Sequence, residues 1–144
     1  MREVSTYYMN EGAFELPEIL HDRTTHLVEI REGGHDLSLA VVRAPLPEGQ
    51  SLRQVVEARV LDEQARLSGY KRLDERESSW AGVPALETTS RWRYEGRAIY
   101  QQQAHLVVGG TWIYFALSAP LEAKDAVDAR FEHLRDSLRL RSTD

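Results

Sequence analysis

The stretch DLSLAVVRAPLPEGQSLRQVVEARVLDEQARLSGY, residues Asp36 to Tyr70, decides the fold because it predicts a strand, a loop and a long helix in succession. From Leu37 onward, bulky apolar residues alternate with Ser38, Ala40 and Val42, which is the period-two pattern of a strand. The prolines and glycine of PLPEG then end the strand. The second set of side chains is small, so this face of the strand leaves room for another group to approach closely.

The helix predicted after this loop begins at a capping box and then shows two unusual features, a pair of charges within its apolar stripe and a second apolar patch. Ser51 and Gln54 have the spacing of a capping box, in which the two side chains satisfy free amides at the helix start. Arg59 and Glu63 interrupt the apolar stripe that follows, and a weaker apolar patch lies on the far side. A helix that only covered a sheet and otherwise faced water would need neither feature. The stripe consists of Leu52, Val55, Val56, Val60 and Leu67, and the patch of Ala58, Leu61 and Ala65.

The rest of the chain predicts more strands and one more helix. Turn signals at Gly33-Gly34, Glu95-Gly96 and Gly109-Gly110 separate alternating segments and predict hairpins. Pro120 precedes a second helical stripe. We therefore predict that residues 1–144 form one α+β domain with an antiparallel sheet of about six to seven strands and two helices packed on it. The predicted strands are 12–16, 24–32, 37–42, 70–80, 84–94, 97–108 and 111–118, and the second stripe is Ala123, Val127, Phe131, Leu134 and Leu138.

Composition excludes several functions. The chain has no cysteine, which rules out disulfides, zinc–thiolate sites and cysteine nucleophiles. Its net charge of −5 argues against nucleic-acid binding, which needs a concentrated basic surface. The N-terminus lacks the apolar core of a signal peptide. The apolar run from Ala104 to Ala119 is interrupted by Gly109-Gly110, which favours two strands over a membrane span. We expect a cytoplasmic protein that does not insert into a membrane.

Catalytic patterns are scarce in the sequence. It contains no GxSxG elbow, no phosphate-binding glycine loop and no HExxH motif. The histidines are scattered without the spacing of metal ligands, and Ser78-Ser79 has no base nearby in the sequence. We therefore expect no catalytic residue, no metal and no cofactor, and favour a protein that acts by binding alone.

A possible binding surface emerges from the run Gln101-Gln102-Gln103. This strand could turn its amides either to solvent or to a partner, and the sequence favours both interpretations equally. In the second case Gln101 and Gln103 form a groove with a floor of small and apolar residues. Helices pack against each other in membranes with the same chemistry, so the groove would suit an apolar helix, although composition does not choose a helix over a lipid or a peptide. The other floor residues are Thr25, Leu27, Ser38, Ala40 and Val42.

Several segments resemble a known family. FELPEILHDRTTHLVEI, LSLAVVRAPLPEGQSL, LSGYK and WRYEGRAIYQQQAHLVVGG are similar to the Eag-type chaperones of bacterial type VI secretion, within a broader DcrB-like and PsbP-like group. The resemblance implies a homodimer that binds the apolar N-terminal helices of a secreted effector before export, with the effector's spike protein as a further partner to test. It places the groove residues on Thr25, Leu27, Ser38, Ala40, Val42, Arg59, Glu63 and Gln103.

Arg59 and Glu63 depart from this family, which tends to have neutral residues at these positions. Because they are four residues apart on a helix, they could form an ion pair with each other, or either could meet a polar group of the guest. We also expect the amide of Gln103 to be exposed, so that Gln103→Ala weakens binding without loss of stability. Ser38→Leu should block the groove, whereas Leu39→Ala should damage a core on the opposite face.

Two alternatives stay open at this stage. The first is a binding module of the same fold for another protein or a small apolar ligand. The second, less favoured, is a hydrolase or lyase whose site the motifs do not reveal. Dimerisation itself is expected because the predicted helix and the last strand carry apolar residues on two sides, more than a single small core can bury.

Overall fold

A computed structural model of the protein describes residues 4–9, 12–17 and 25–140, with side chains from Thr25 onward. A six-stranded antiparallel sheet has the strand order β3-β4-β8-β7-β6-β5, and β1 and β2 form a separate two-stranded sheet. The predicted α+β class is confirmed. The elements are β1 Val4–Met9, β2 Gly12–Pro17, β3 Thr25–Glu32, β4 His35–Pro45, α1 Leu52–Arg66, β5 Lys71–Trp80, β6 Val83–Tyr94, β7 Arg97–Val108, β8 Thr111–Pro120, a 3-10 turn Leu121–Ala123 and α2 Lys124–Ser137.

Tight hairpins fix the register of the central strands. At the turn between β7 and β8, Gly109 and Gly110 have φ values of 54° and 78°. Two successive left-handed residues make the type of turn whose twist matches paired strands, and glycine adopts it without steric cost. Gln101 consequently lies opposite Ser118, and Gln103 opposite Ala116.

The main hydrophobic core lies between α2 and one face of the sheet. Phe131 of α2 meets the ring of Trp80 edge-on, with ring centroids 5.2 Å apart. Leu39 is partly buried at the margin of this core, on the face predicted for it. This face is therefore closed by α2. Its buried residues are Leu37, Trp80, Ala85, Tyr100, Ala104, Leu106, Leu117, Ala119, Ala123, Val127 and Phe131.

The opposite face of the sheet carries α1. The predicted capping box is present, because Ser51 Oγ accepts the Gln54 amide at 3.2 Å and Gln54 Oε1 accepts the Ser51 amide at 2.8 Å. Val55, Val56 and Val60 are buried against β6 and β7. The segment after α1 is fixed at the far end of β6, where the Arg93 amide donates to the Ser68 carbonyl at 2.8 Å.

The two edges of the six-stranded sheet differ in chemistry. β5 is the polar edge strand that the sequence predicts, and it has a bulge between Arg72 and Asp74. Charges and bulges on an edge strand discourage pairing with another chain. At the other edge, β3 leaves Leu27 79% exposed and Val28 45% exposed.

Candidate functional site

The face that carries α1 is only half covered. α1 lies over β6 and β7, while the same side of β3, β4 and β8 borders a groove of about 420 Å³. We call this uncovered surface of β3, β4 and β8 the open half. The side chains that line the groove from this surface and from β7 are Leu27, Glu29, Ser38, Ala40, Gln101, Ala116 and Ser118.

The structure brings together the predicted floor residues on β3 and β4. Thr25 lies opposite Val42, and Leu27 lies opposite Ala40 in the β3–β4 ladder. Ser38 is exposed and pairs across the next ladder with Ser118. Short side chains on β4 and β8 keep this floor low, whereas Leu27 adds apolar surface at its edge.

Gln103 does not lie on an open surface, and the expectation of an exposed amide is wrong. Its side chain is 1% exposed because α1 covers β7 at this position. Gln103 Nε2 donates to Glu63 Oε2 at 3.2 Å and to Gln101 Oε1. Glu63 itself is 3% exposed, so these two residues attach α1 to the sheet instead of lining the groove.

A chain of hydrogen bonds continues from Gln103 along β7. His105 Nε2 lies 2.8 Å from Gln103 Oε1. The other ring nitrogen, Nδ1, accepts a hydrogen bond from the indole N–H of Trp112 at 3.2 Å. Because Nδ1 is an acceptor, the proton is on Nε2, which donates to Gln103. Burial, with a further contribution from the charge of Arg59, lowers the pKa of His105 to about 3. His105 is therefore neutral near pH 7.

Arg59 and Glu63 pair with each other, which confirms one of the two interpretations of their spacing. Arg59 Nε lies 3.6 Å from Glu63 Oε1, and the guanidinium carbon lies 4.3 Å from the centroid of the Tyr114 ring. Burial raises the pKa of Glu63, and the positive charge of Arg59 and the hydrogen bond from Gln103 oppose that rise. Arg59 therefore covers the ring of Tyr114 on β8, at the side of α1.

Gln101 connects this buried network to the groove. Its Oε1 accepts from Gln103, while the side chain lines the groove next to Ser118. Within residues 25–140 its side chain forms no other hydrogen bond, which leaves its Nε2 available to a bound molecule. Gln102 points to the opposite face and bonds to Thr89 and Asp128.

Sequence reasoning missed the contribution of β8 to the groove. Ala116 and Ser118 form part of the floor, although the prediction placed no residue of this strand there. The alternation of β8 puts them on the same side as Trp112 and Tyr114, so the pattern itself contained the signal. The alternation pattern does not show that β8 pairs with β4, because these two strands lie far apart in the sequence.

A second polar cluster lies under α2, on the other face of the sheet. Glu87 is 1% exposed and accepts hydrogen bonds from Arg76 Nε at 2.7 Å and from Trp80 Nε1 at 2.9 Å. Burial acts to raise the pKa of Glu87, but hydrogen bonds that include these two hold it below its usual value. Arg135 Nη1 also lies 3.7 Å from Glu87 Oε2. The negative charge of Glu87 is therefore balanced by neighbouring groups of the same fold.

These features define a class of small α+β domain, in which an antiparallel sheet is closed by one helix and half covered by another. The sequence model of the DcrB family matches residues 11–137, and the chain therefore belongs to the DcrB family. Among proteins with curated descriptions, none matches the sequence.

Solved structures share the fold at low sequence identity. A Pseudomonas aeruginosa protein, PA94, described as of unknown function and a putative regulator, has a TM-score of 0.76 at 18% identity, covering 97% of this chain and 99% of that chain. LpqN of Mycobacterium tuberculosis, involved in cell envelope biogenesis, has a TM-score of 0.63 at 8% identity, covering 94% and 89%. Cyanobacterial PsbP from Synechocystis has a TM-score of 0.58 at 15% identity, covering 96% and 92%.

Within the described parts of the chain, no helix has both the length and the apolar character needed to cross a membrane.

Proposed function

We propose that the protein is a cytoplasmic chaperone or adaptor that binds the apolar N-terminal helices of a type VI secretion effector and shields them until export. The open half supports this proposal best: Leu27 is 79% exposed beside a floor of Ser38, Ala40, Ala116 and Ser118. An apolar surface bordered by polar residues in this way is typical of a site that a partner covers. The resemblance of its sequence segments to Eag-type chaperones suggests the partner.

The mode of action is binding without turnover. An apolar helix that is synthesised before it reaches a membrane would aggregate in water. Binding in the groove buries one face of the helix and so reduces the apolar surface that drives aggregation. Small floor residues let the helix backbone approach closely, while Gln101, Ser38 and Ser118 supply hydrogen-bonding groups. No catalytic step and no cofactor form part of this proposal.

Co-expression tests the proposal directly. The apolar N-terminal segment of a type VI effector, produced in the same cells, should stay soluble without detergent and co-purify with the protein. Ser38→Leu, which places a bulky side chain on the floor, should abolish retention, while Leu61→Ser on the exposed side of α1 should not. If the segment is insoluble with and without the wild-type protein, and full-length effector is also not retained, the proposal fails.

The proposal includes a homodimer, and the β3 edge is the surface that favours it. Leu27 and Val28 expose apolar side chains on both sides of an edge that no other strand of the described residues pairs with, whereas the opposite edge is charged and bulged. Pairing of β3 with a second copy would satisfy the free backbone groups of this edge and align the two open halves side by side, with Leu27 still facing the groove. Light scattering at micromolar concentration should give a dimer mass, and Val28→Lys should give a monomer. A wild-type monomer would contradict this part.

A second candidate function is a carrier of a small apolar ligand. The groove volume of about 420 Å³ lies within the range of about 300–1,000 Å³ typical of ligand pockets. This alternative predicts that a fatty acid or similar probe competes with a helical peptide for the groove, while effector segments are not retained.

A further inference from the structure

The groove floor is ordered into rows that run across the strands. In the register of β7, β8, β4 and β3, Gln101 lies opposite Ser118, Ser118 lies opposite Ser38, and Ser38 lies opposite Glu29. We call these residues the serine row. Directly paired residues of neighbouring strands lie about 5 Å apart, so the row is a continuous line of polar groups.

The neighbouring row has a different chemistry. Ala116 lies opposite Ala40, and Ala40 lies opposite Leu27. These residues form the alanine row, and beyond it β4 and β3 present Val42 and Thr25. The rows lie about 7 Å apart along the strands, because one face repeats every second residue. The floor is thus polar at one end and largely apolar toward the other.

α1 defines the direction in which a second helix would lie. It starts near Pro84 and Leu86, and the chain after it meets Arg93, so it runs along β6. The open half beside it spans β8, β4 and β3, which places its outer strands about 10 Å apart. A helix with its side chains is about 10–12 Å wide, so one helix fits here, alongside α1 and across the rows.

We propose, on the basis of the proposed function, that each chain binds one apolar helix in a direction set by a single polar residue of that helix. A Ser, Thr, Asn or Gln of the guest lies over the serine row, and aliphatic residues lie over the alanine row. Because Gln101 Oε1 is occupied by Gln103, the Nε2 of Gln101 donates to the guest's hydroxyl or amide oxygen. A guest bound in the reverse direction would place aliphatic groups on the serine row. The serine hydroxyls and the Gln101 amide of that row would then be buried without hydrogen-bond partners.

The absence of cysteine from the chain gives a clean test by single-cysteine crosslinking. Arg31→Cys lies just beyond the serine row and Thr25→Cys lies near the apolar end. Both positions are exposed on the same face of β3. The probe is a leucine–alanine peptide of about 20 residues with terminal lysines and an N-terminal bromoacetyl group, made with one Gln near its N-terminus, with one near its C-terminus, or with none.

The peptide with the N-terminal Gln should alkylate Arg31→Cys at least tenfold faster than Thr25→Cys, and moving the Gln to the C-terminal end should reverse the preference. Adding Ser38→Ala and Ser118→Ala should reduce the ratio toward one while the peptide still binds. If the peptides bind but the ratio does not follow the Gln, the inference is wrong and the proposed function stands. If no peptide binds, the proposed function fails together with the inference.

Discussion

The two faces of the sheet differ in how completely a helix closes them. Under α2, Leu117, Trp80 and Phe131 are at most 1% exposed and form one continuous core. Under α1, Val56 is equally buried, but the same face leaves Leu27 79% exposed a few strands away. The difference indicates that the second face is only partly used for stability, and its remainder is available for a partner.

The largest effect should come from the closed face. Leu117→Ala removes a fully buried side chain beneath α2 and should cost about 2–5 kcal/mol of unfolding free energy. Leu39→Ala, on the same face but only partly buried, should cost less within that range. Urea unfolding measures both. The matched control is Leu27→Ala on the open half, expected to change stability by about 0.5 kcal/mol or less. Equal losses for Leu117→Ala and Leu27→Ala would contradict the assignment of faces.

A smaller loss is expected where α1 is attached to the sheet. Gln103→Ala should cost about 1–3 kcal/mol for each buried polar group left unpaired, because it removes partners of Glu63 and His105. This replaces the expectation of an unaffected fold. Gln101→Ala, which removes one acceptor at the groove, is the control and should cost less. Unfolding curves that are identical for Gln103→Ala and wild type would show that this network does not hold α1.

The pH dependence of stability should separate two buried groups near α1. His105 has a lowered pKa of about 3, so the unfolded state takes up its proton first and stability falls as pH drops from about 6.5 toward 3. Glu63 has a raised pKa, so its contribution to stability has the opposite sign. This contribution is present at low pH and is lost as pH rises through the pKa of Glu63 in the folded protein.

Two variants resolve these contributions. His105→Gln should lessen the loss of stability on acidification, and Glu63→Gln should steepen it while raising stability at pH 7. Denaturant midpoints measured from pH 4 to pH 8 provide the test. An unchanged profile in His105→Gln would mean that the pKa of this ring is the same in the folded and the unfolded protein, which would contradict a buried, neutral imidazole.

The smallest effect on stability is expected on the open half. Ser38→Leu adds bulk to an exposed position and should change unfolding free energy by no more than about 0.5 kcal/mol. Guest binding should nevertheless be lost, because the new side chain occupies the floor of the groove. Thermal unfolding and peptide titration of the same sample separate the two quantities. A strongly destabilised Ser38→Leu protein would show that this surface is part of the fold's core.

Local signals predicted most of the fold. The bounds of β7 follow from the turns at Glu95-Gly96 and Gly109-Gly110, and the start of α1 follows from Ser51 and Gln54. β1, Val4–Met9, was not predicted. The floor residues Thr25, Leu27, Ser38, Ala40 and Val42 were placed on one face because strand alternation is a local property.

The remaining features depend on contacts between distant segments. Alternation puts Gln101 and Gln103 on the same face, but it does not say which strand α1 covers. Gln103 is buried because Glu63 of α1 packs over it, whereas Gln101, two residues away, reaches the groove. The same reason explains why the sequence pattern does not place Ala116 and Ser118 in the groove, since these residues pair with β4 residues 76 and 80 positions away in the sequence.

The central claim is that the open half, rather than exposed apolar surface in general, binds an apolar helix. Leu27 is 79% exposed in the groove and Leu61 is 66% exposed on the outer side of α1, so Leu27→Ser and Leu61→Ser are closely matched changes. Fluorescence anisotropy of a labelled leucine–alanine helical peptide should show affinity at least about tenfold weaker for Leu27→Ser, since burying a leucine contributes about 1.5–3 kcal/mol. Leu61→Ser should bind like wild type. Equal affinities for both variants, or a loss confined to Leu61→Ser, would contradict the account.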